Sequence, residues 1–448
     1  MSGIKQRFNQ FPFSPAKSPV FYGWIIVFWG TIGVIMSAPG QTTGISTFTD
    51  HLIDAFGLSR NQLSTAYLIG TITSSFFITS AGRLYDKIGS RWMGMLTTWI
   101  MGIVLLYLSQ SDRISAGLSS IFNLQRFQLF VSFAVLVLGF FMLRLSGQGA
   151  LTMLSRNMIM KWFIAKRGIA GGISSVFVSL GFSIAPLMFD GLIENASWRG
   201  AWIIIALVAG FGFSFFIFLF YRDNPEDCSV EPDGNFKGKP KEKIIVKAVR
   251  QFTLKEARKT HTYWIFTLSM AIHAMIITGF IFNVVSIFDE AGMDKNAALS
   301  VFIPASFVSV VVTFVGGYFS DYIKLKKLLI IMMLGQTLSV FSLPFLSVPL
   351  FYYFLIVGNG VVSGMYAVLI SVSWPRFFGR QHLGEISGSA LSVIVFFSAI
   401  GPLLFSLSLS YFGSYAAAAW LCFAFCIVIL IGAFRADNPQ EKIITPAE

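Results

Sequence analysis

Charge is nearly absent from ten long stretches of this 448-residue chain, and those stretches have the lengths that cross a lipid bilayer. Residues 18–49, 61–82 and 92–111 carry no Asp, Glu, Lys or Arg, and between Arg126 and Arg156 the only charge is Arg144. The runs 168–189, 200–221, 260–288 and 296–320 are equally bare, and two more, 328–375 and 386–434, are 48 and 49 residues long. A helix needs roughly 20 apolar residues to cross the hydrocarbon core. Eight runs therefore hold one span each and the two long runs hold two, which predicts twelve spans. Pro344 and Pro349 are the expected break in the first long run and Gly413 in the second.

Composition removes the competing classes. The chain is 55% hydrophobic and 12% charged, against about 25% charged in a soluble domain, so membrane is expected from end to end. The 48 Phe residues show no strand-like alternation, and an outer-membrane barrel needs alternating segments of about ten residues. Helices are the other way to satisfy backbone groups in lipid, so an all-α membrane protein is expected.

The net charge of +12 could signal nucleic acid, but its placement argues for membrane orientation. With an inside N-terminus, the inside segments carry 27 Lys and Arg, from Lys5, Arg7 and Lys17 to Arg435 and Lys442. The outside segments carry five: Arg60, Arg113, Arg126, Arg199 and Lys295. This bias predicts cytoplasmic termini in an inner or plasma membrane, and no nucleic-acid partner. No cleavable signal peptide is expected, because the first 20 residues are polar and basic and the apolar run after them is too long. Cys228, Cys422 and Cys426 form neither a disulfide framework nor a zinc pattern. Asn195-Ala196-Ser197 matches a glycosylation sequon in a short outside loop, where chance is the simpler reading.

The chain repeats itself. Gly168 to Pro186 and Gly384 to Pro402 share a glycine-to-proline spacing of 18 at an offset of 216. The halves end alike, in Arg222-Asp223-Asn224-Pro225 and Arg435-Ala436-Asp437-Asn438-Pro439. Gly82 to Asp86 and Gly317 to Asp321 form a third pair. Six spans per half give a parallel repeat about an axis normal to the membrane. The expected organisation is a cytoplasmic segment 1–20, a six-helix bundle 21–221, a cytoplasmic linker 222–261, a second bundle 262–434 and a tail 435–448. The linker opens with Pro, Gly and charge, then offers a capping box at Thr253-Leu254-Lys255-Glu256 before a short surface helix or an ordinary helix start.

These residues resemble the major facilitator superfamily. Gly82, Leu84, Asp86, Lys87, Gly89 and Arg91 fit its signature between helices 2 and 3, G-x-L-x-D-[RK]-x-G-x-[RK]. Phe21-Tyr22-Gly23-Trp24, Trp162-Phe163 with Lys166-Arg167-Gly168, and Arg222 to Asp227 are similar to the branch of monocarboxylate transporters and oxalate:formate exchangers. The resemblance implies two six-helix bundles working by alternating access, with helices 1, 4, 7 and 10 lining the solute path. Carriers of that branch often place an arginine in helix 8, whereas residues 296–320 hold no Lys or Arg and span 11 holds no lysine.

Arg144 is the only charge well inside a predicted span. Burying it costs about 3 kcal/mol or more, so an anionic solute, a carboxylate or backbone carbonyls must offset it. It resembles the helix 4 arginine motif, and two roles are open: an anion contact or coupling residue, or an arginine locked onto carbonyls. His273 is the proton-coupling candidate, with a packing role as the alternative. No Asp or Glu sits deep in a span, so coupling to H+, to Na+ or to neither stays open. Gln41, Thr42, Thr43, Gln148, Asn283, Asn359, Tyr366 and Trp374 are the polar groups expected along the path, with Pro39-Gly40 loosening span 1. Gly82, Arg83, Asp86, Lys87, Gly89, Arg91 and Asp321 form a candidate cytoplasmic gate whose charges make one network in one state; the alternative is an orientation signal alone.

The expected function is secondary or facilitated transport of a small solute, an organic anion such as a carboxylate, by a monomer in the bilayer without a cofactor. A non-transporting sensor on the same fold is the alternative. An enzyme is not expected: the four histidines are scattered, and neither a metal-ligand spacing nor a Walker loop is present.

Overall fold

The computed structural model describes residues 10–122, 125–234 and 249–441. Lys5, Arg7 and Lys442, and residues 235–248 in the middle of the expected linker, lie outside the described residues. Among the described residues ten helices are long and apolar enough to span a bilayer, and two of them are each two spans joined at one non-helical residue. The count is therefore twelve. We label them α1 (Tyr22–Gly40), α2 and α3 (residues 60–88 and 90–109 of Arg60–Ser109), α4 (Gln128–Trp162), α5 and α6 (residues 167–196 and 198–220 of Arg167–Phe220), α7 (His261–Glu290), α8 (Lys295–Ser320), α9 (Leu325–Phe345), α10 (Pro349–Phe378), α11 (Leu383–Phe412) and α12 (Ala416–Ala433).

The breaks have local causes. Gly89 turns the chain between α2 and α3 at φ 82, a conformation that costs an L side chain but not glycine. Ser197 does the same between α5 and α6 at φ 63, and its hydroxyl accepts the Gly200 N–H at 3.4 Å. Leu343-Pro344-Phe345 closes α9, and Pro349 starts α10 where a missing N–H does no harm. Gly413 ends α11 in the left-handed region, as expected. The Thr253 capping box is formed in full and opens the short helix Leu254–Ala257 ahead of α7. The connection from α3 to α4 is largely helical: Ser111–Ile121 follows α3.

The chain divides into two compact units: Met1–Trp162 with Phe177–Asn235, and Phe163–Val176 with Phe236–Glu448. In the first, α2 lies along α4 and α3 along α6. The second repeats the plan, α8 along α10 and α9 along α12, with α7 along α11. Small residues set these separations. A Cβ on Gly210 of α6 would come 2.5 Å from Gly102 Cα of α3, and one on Gly401 of α11 would come 2.0 Å from the Met275 carbonyl of α7. Such backbone contact is how helices associate where no hydrophobic driving force acts between them. Phe28, Phe76, Phe130, Ile303, Phe307 and Ile431 are all exposed, an apolar surface suited to lipid.

Candidate functional site

In the first unit the polar residues gather where α1 breaks. Ala38-Pro39-Gly40 forms a tight turn, Gln41 is extended, and the short helix Thr42–Ser46 restarts the chain. Opposite, residues Arg144–Leu151 of α4 take a widened π-helical form, a device often found at functional sites. Gly40 and Gly147 let the two irregular segments touch, since a Cβ on Gly147 would lie 2.9 Å from Gly40 Cα.

Arg144 projects from this widened turn and is 1% exposed. Its Nη1 donates to the Gly40 carbonyl at 3.1 Å and to Thr42 Oγ1 at 3.4 Å. Its guanidinium carbon lies 5.2 Å from the centre of the Tyr67 ring, a cation–π distance. Nε has no hydrogen-bond partner, and no carboxylate pairs with Arg144 among the described residues. The break in α1 thus supplies the carbonyl that partly offsets the buried charge, and the buried Nε is left without a partner.

The other predicted residues of this unit have distinct places. Gln41 donates to Ser37 Oγ at 3.0 Å and to Thr152 Oγ1 at 3.2 Å, tying the break to α4. Thr42 meets the Tyr67 hydroxyl at 2.9 Å. Thr43 is exposed. Gln148 is half-buried, with Oε1 unpartnered. Tyr67, Ser37 and Thr152 escaped the sequence reading. A tyrosine on α2 and two small hydroxyl residues carry no spacing signal, and only the fold brings them to the break.

In the second unit, His273 Nδ1 lies 2.8 Å from Gln336 Oε1, and its ring centre is 5.0 Å from that of Tyr366. One turn along α9, Ser339 donates to Asn359 Oδ1 at 2.7 Å. Asn283 is elsewhere: it donates to the Gly279 carbonyl at 2.9 Å and lines a cavity of about 600 Å³ with Asp289 and Lys295. Trp374 is buried against Tyr263, ring centres 5.8 Å apart. Asn283 and Trp374 therefore lie apart from the His273 group. Gln336 and Ser339 were missed, because α9 is not among the helices that the resemblance assigns to the solute path.

The candidate gate residues extend into networks that the signature alone does not contain. Gly82 is buried, Arg83 and Lys87 are exposed, Asp86 is half-buried and Arg91 is buried. The Gly89 turn aims Ser90 at Asp223, whose Oδ1 accepts from Ser90 Oγ at 2.6 Å and from Lys161 Nζ at 3.1 Å. Burial alone would raise the Asp223 pKa; the Lys161 ammonium and the Ser90 bonds overcome it and hold the carboxyl below the usual carboxylate range. Arg91 donates to the carbonyls of Tyr221 at 3.2 Å and Phe11 at 2.9 Å. In the second unit Asp321 is 1% exposed and accepts from Arg376 and from the Gly168 N–H, both at 3.1 Å. Asp437, the counterpart of Asp223, pairs with Lys326. Both Arg-Asp-Asn-Pro-like endings thus place an aspartate on a lysine.

The comparisons agree with this architecture. The Major Facilitator Superfamily profile matches residues 31–393. No curated protein matches the chain by sequence. Among solved structures, the proton:xylose symporter XylE bound to 6-bromo-6-deoxy-D-glucose superposes with a TM-score of 0.64 at 17% identity, covering 94% of this chain and 98% of its own. A bacterial homologue of the iron transporter ferroportin, in an outward-facing state, gives 0.64 at 14% identity, covering 92% and 99%. At these identities the likeness is one of fold. The profile spans most of the chain, and with twelve helices in two similarly paired sets it identifies this multi-pass membrane protein as a member of the Major Facilitator Superfamily, a family of small-solute transporters.

Proposed function

We propose that the protein carries small organic anions across the membrane by alternating access, with Arg144 as the anion contact. One observation supports this most: a guanidinium 1% exposed, without a carboxylate partner among the described residues and with Nε unpartnered. A charge in that setting needs more than one carbonyl, one hydroxyl at 3.4 Å and one aromatic face, and a solute anion would complete it. Gln148, with its unpartnered Oε1, sits one turn further along α4 and offers an acceptor to a hydroxyl or amide of the same solute. The motifs shared with monocarboxylate and oxalate:formate carriers favour a carboxylate, and the arginine here sits on α4 rather than α8.

The same reading places both termini in the cytoplasm of an inner or plasma membrane, with bundles 21–221 and 262–434 and a monomer as the working unit. Gly82, Arg83, Asp86, Lys87, Gly89, Arg91 and Asp321 serve as the cytoplasmic gate. His273, hydrogen-bonded to Gln336, is the proton carrier if transport is proton-coupled. The test is uptake of radiolabelled lactate, oxalate and succinate into proteoliposomes. Uptake of at least one, abolished in Arg144→Gln with insertion intact, is the expected result; unimpaired uptake in Arg144→Gln rejects the anion contact. Proton coupling predicts alkalinisation outside the vesicles during uptake, lost in His273→Ala.

A further inference from the structure

We propose that Tyr67 and Thr42 form a side-chain cover over Arg144, a positioning pair that keeps the guanidinium aimed and dry until a solute displaces it. This deepens the anion reading and rests on it for its purpose, while its geometry stands by itself.

Arg144 is 1% exposed. The two side chains that contact it are less covered: Tyr67 is half-buried and Thr42 exposed. Together they close a ring of interactions. The guanidinium faces the Tyr67 ring at 5.2 Å, the Tyr67 hydroxyl meets Thr42 Oγ1 at 2.9 Å, and Thr42 Oγ1 accepts from Arg144 Nη1 at 3.4 Å. Each member comes from a different element: the restart of α1, α2, and the widened turn of α4. Phe140, itself buried, packs against the Tyr67 ring in a T-shaped arrangement at 5.7 Å.

The edges of this ring are unequal. The Arg144–Thr42 contact is the longest, near the limit of a hydrogen bond, so an anion competing for Nη1 displaces Thr42 first. Once Thr42 turns away, the Tyr67 hydroxyl loses its partner, and the ring is held only by the guanidinium and Phe140. Rotation of Tyr67 about χ1 would then open a path to Nη1 and to the unpartnered Nε. Thr42 follows directly on the extended Gln41, where the chain is not bound into a long helix and can move. A tyrosine serving only as core filler would hide its hydroxyl on a buried partner; this one holds an exposed threonine.

The experiment needs no solute. The purified full-length protein is treated with phenylglyoxal, which modifies accessible guanidinium groups, and each arginine is followed by mass spectrometry. Arg60, exposed, and Arg222, fully buried, are the internal references. In the wild type, Arg144 should react as slowly as Arg222. In Tyr67→Ala it should react faster by on the order of tenfold, with Arg222 unchanged. Tyr67→Phe and Thr42→Val keep the ring but lose the hydroxyl link, and should fall between, roughly two- to tenfold above wild type. Arg144 reacting as fast as Arg60 in the wild type, or no faster in any variant, overturns the cover. If Tyr67→Ala does not fold, the two conservative variants decide the question. Failure of Arg144→Gln to affect uptake would remove the anion contact and leave this labelling result standing, so the two readings fail separately.

Discussion

Two single residues stand out in this chain, a buried cation on α4 and a half-buried anion just past α6. Arg144 has no carboxylate partner among the described residues; Asp223 has its partner in Lys161. Removing the Asp223 carboxylate takes from Lys161, whose side chain is 5% exposed, the counter-charge it is hydrogen-bonded to and leaves it the field of Asp86. Breaking a buried pair in this way costs about 3 kcal/mol, so Asp223→Asn should melt well below wild type at neutral pH. The sign of the pH dependence follows from the depressed Asp223 pKa. The unfolded carboxyl takes up a proton near pH 4 and the folded one at lower pH. The stabilisation is therefore complete at neutral pH and fades as pH falls below about 4 towards the folded value. The melting gap between Asp223→Asn and wild type should be constant from pH 5 to 8 and narrow on further acidification. A gap that widened with acid would show that Asp223 is not the ionised partner of Lys161.

Several helix pairs here meet through glycine, and that makes element-scale predictions sharp. At Gly147 an added methyl would press on Gly40 Cα at 2.9 Å and Gly40 N at 3.2 Å. Backbone cannot yield as a side chain can, so Gly147→Ala should destabilise by about 1–3 kcal/mol and separate the break in α1 from the widened turn of α4. Gly117 is the control. It sits inside the helix Ser111–Ile121 with nothing within 4 Å of an added Cβ, so Gly117→Ala should stabilise by up to ~1 kcal/mol. Thermal melts of the two variants in one detergent check both signs. A tolerated Gly147→Ala would mean that the contact can open without cost.

The twelve spans were legible because desolvation acts on charge counts, which sequence displays directly. The breaks at Pro39-Gly40, at Pro344 and Pro349, and at Gly413 were legible too, since proline and glycine act through their own backbones. What stayed hidden were pairings between distant segments. Ser90 and Lys161 converge on Asp223, and Tyr67 on Arg144, only after helices far apart in sequence pack together. The π-helical form of α4 left no periodic trace either, because Gly147 and Gly149 fit a regular turn equally well. At the scale of the whole molecule, the untested claim from charge placement is orientation. The three native cysteines are all buried, so the wild type should be nearly blank to a membrane-impermeant maleimide. Arg60 precedes α2 on the predicted outside, and Lys324 precedes α9 on the predicted inside; their side chains are 67% and 45% exposed. Arg60→Cys should label in intact cells, and Lys324→Cys only after permeabilisation. The two sites are separated by an odd number of crossings, so labelling of both from one side would break the twelve-span count. The reverse pattern would keep the count and invert the protein, placing the Gly82–Arg91 gate on the outer face.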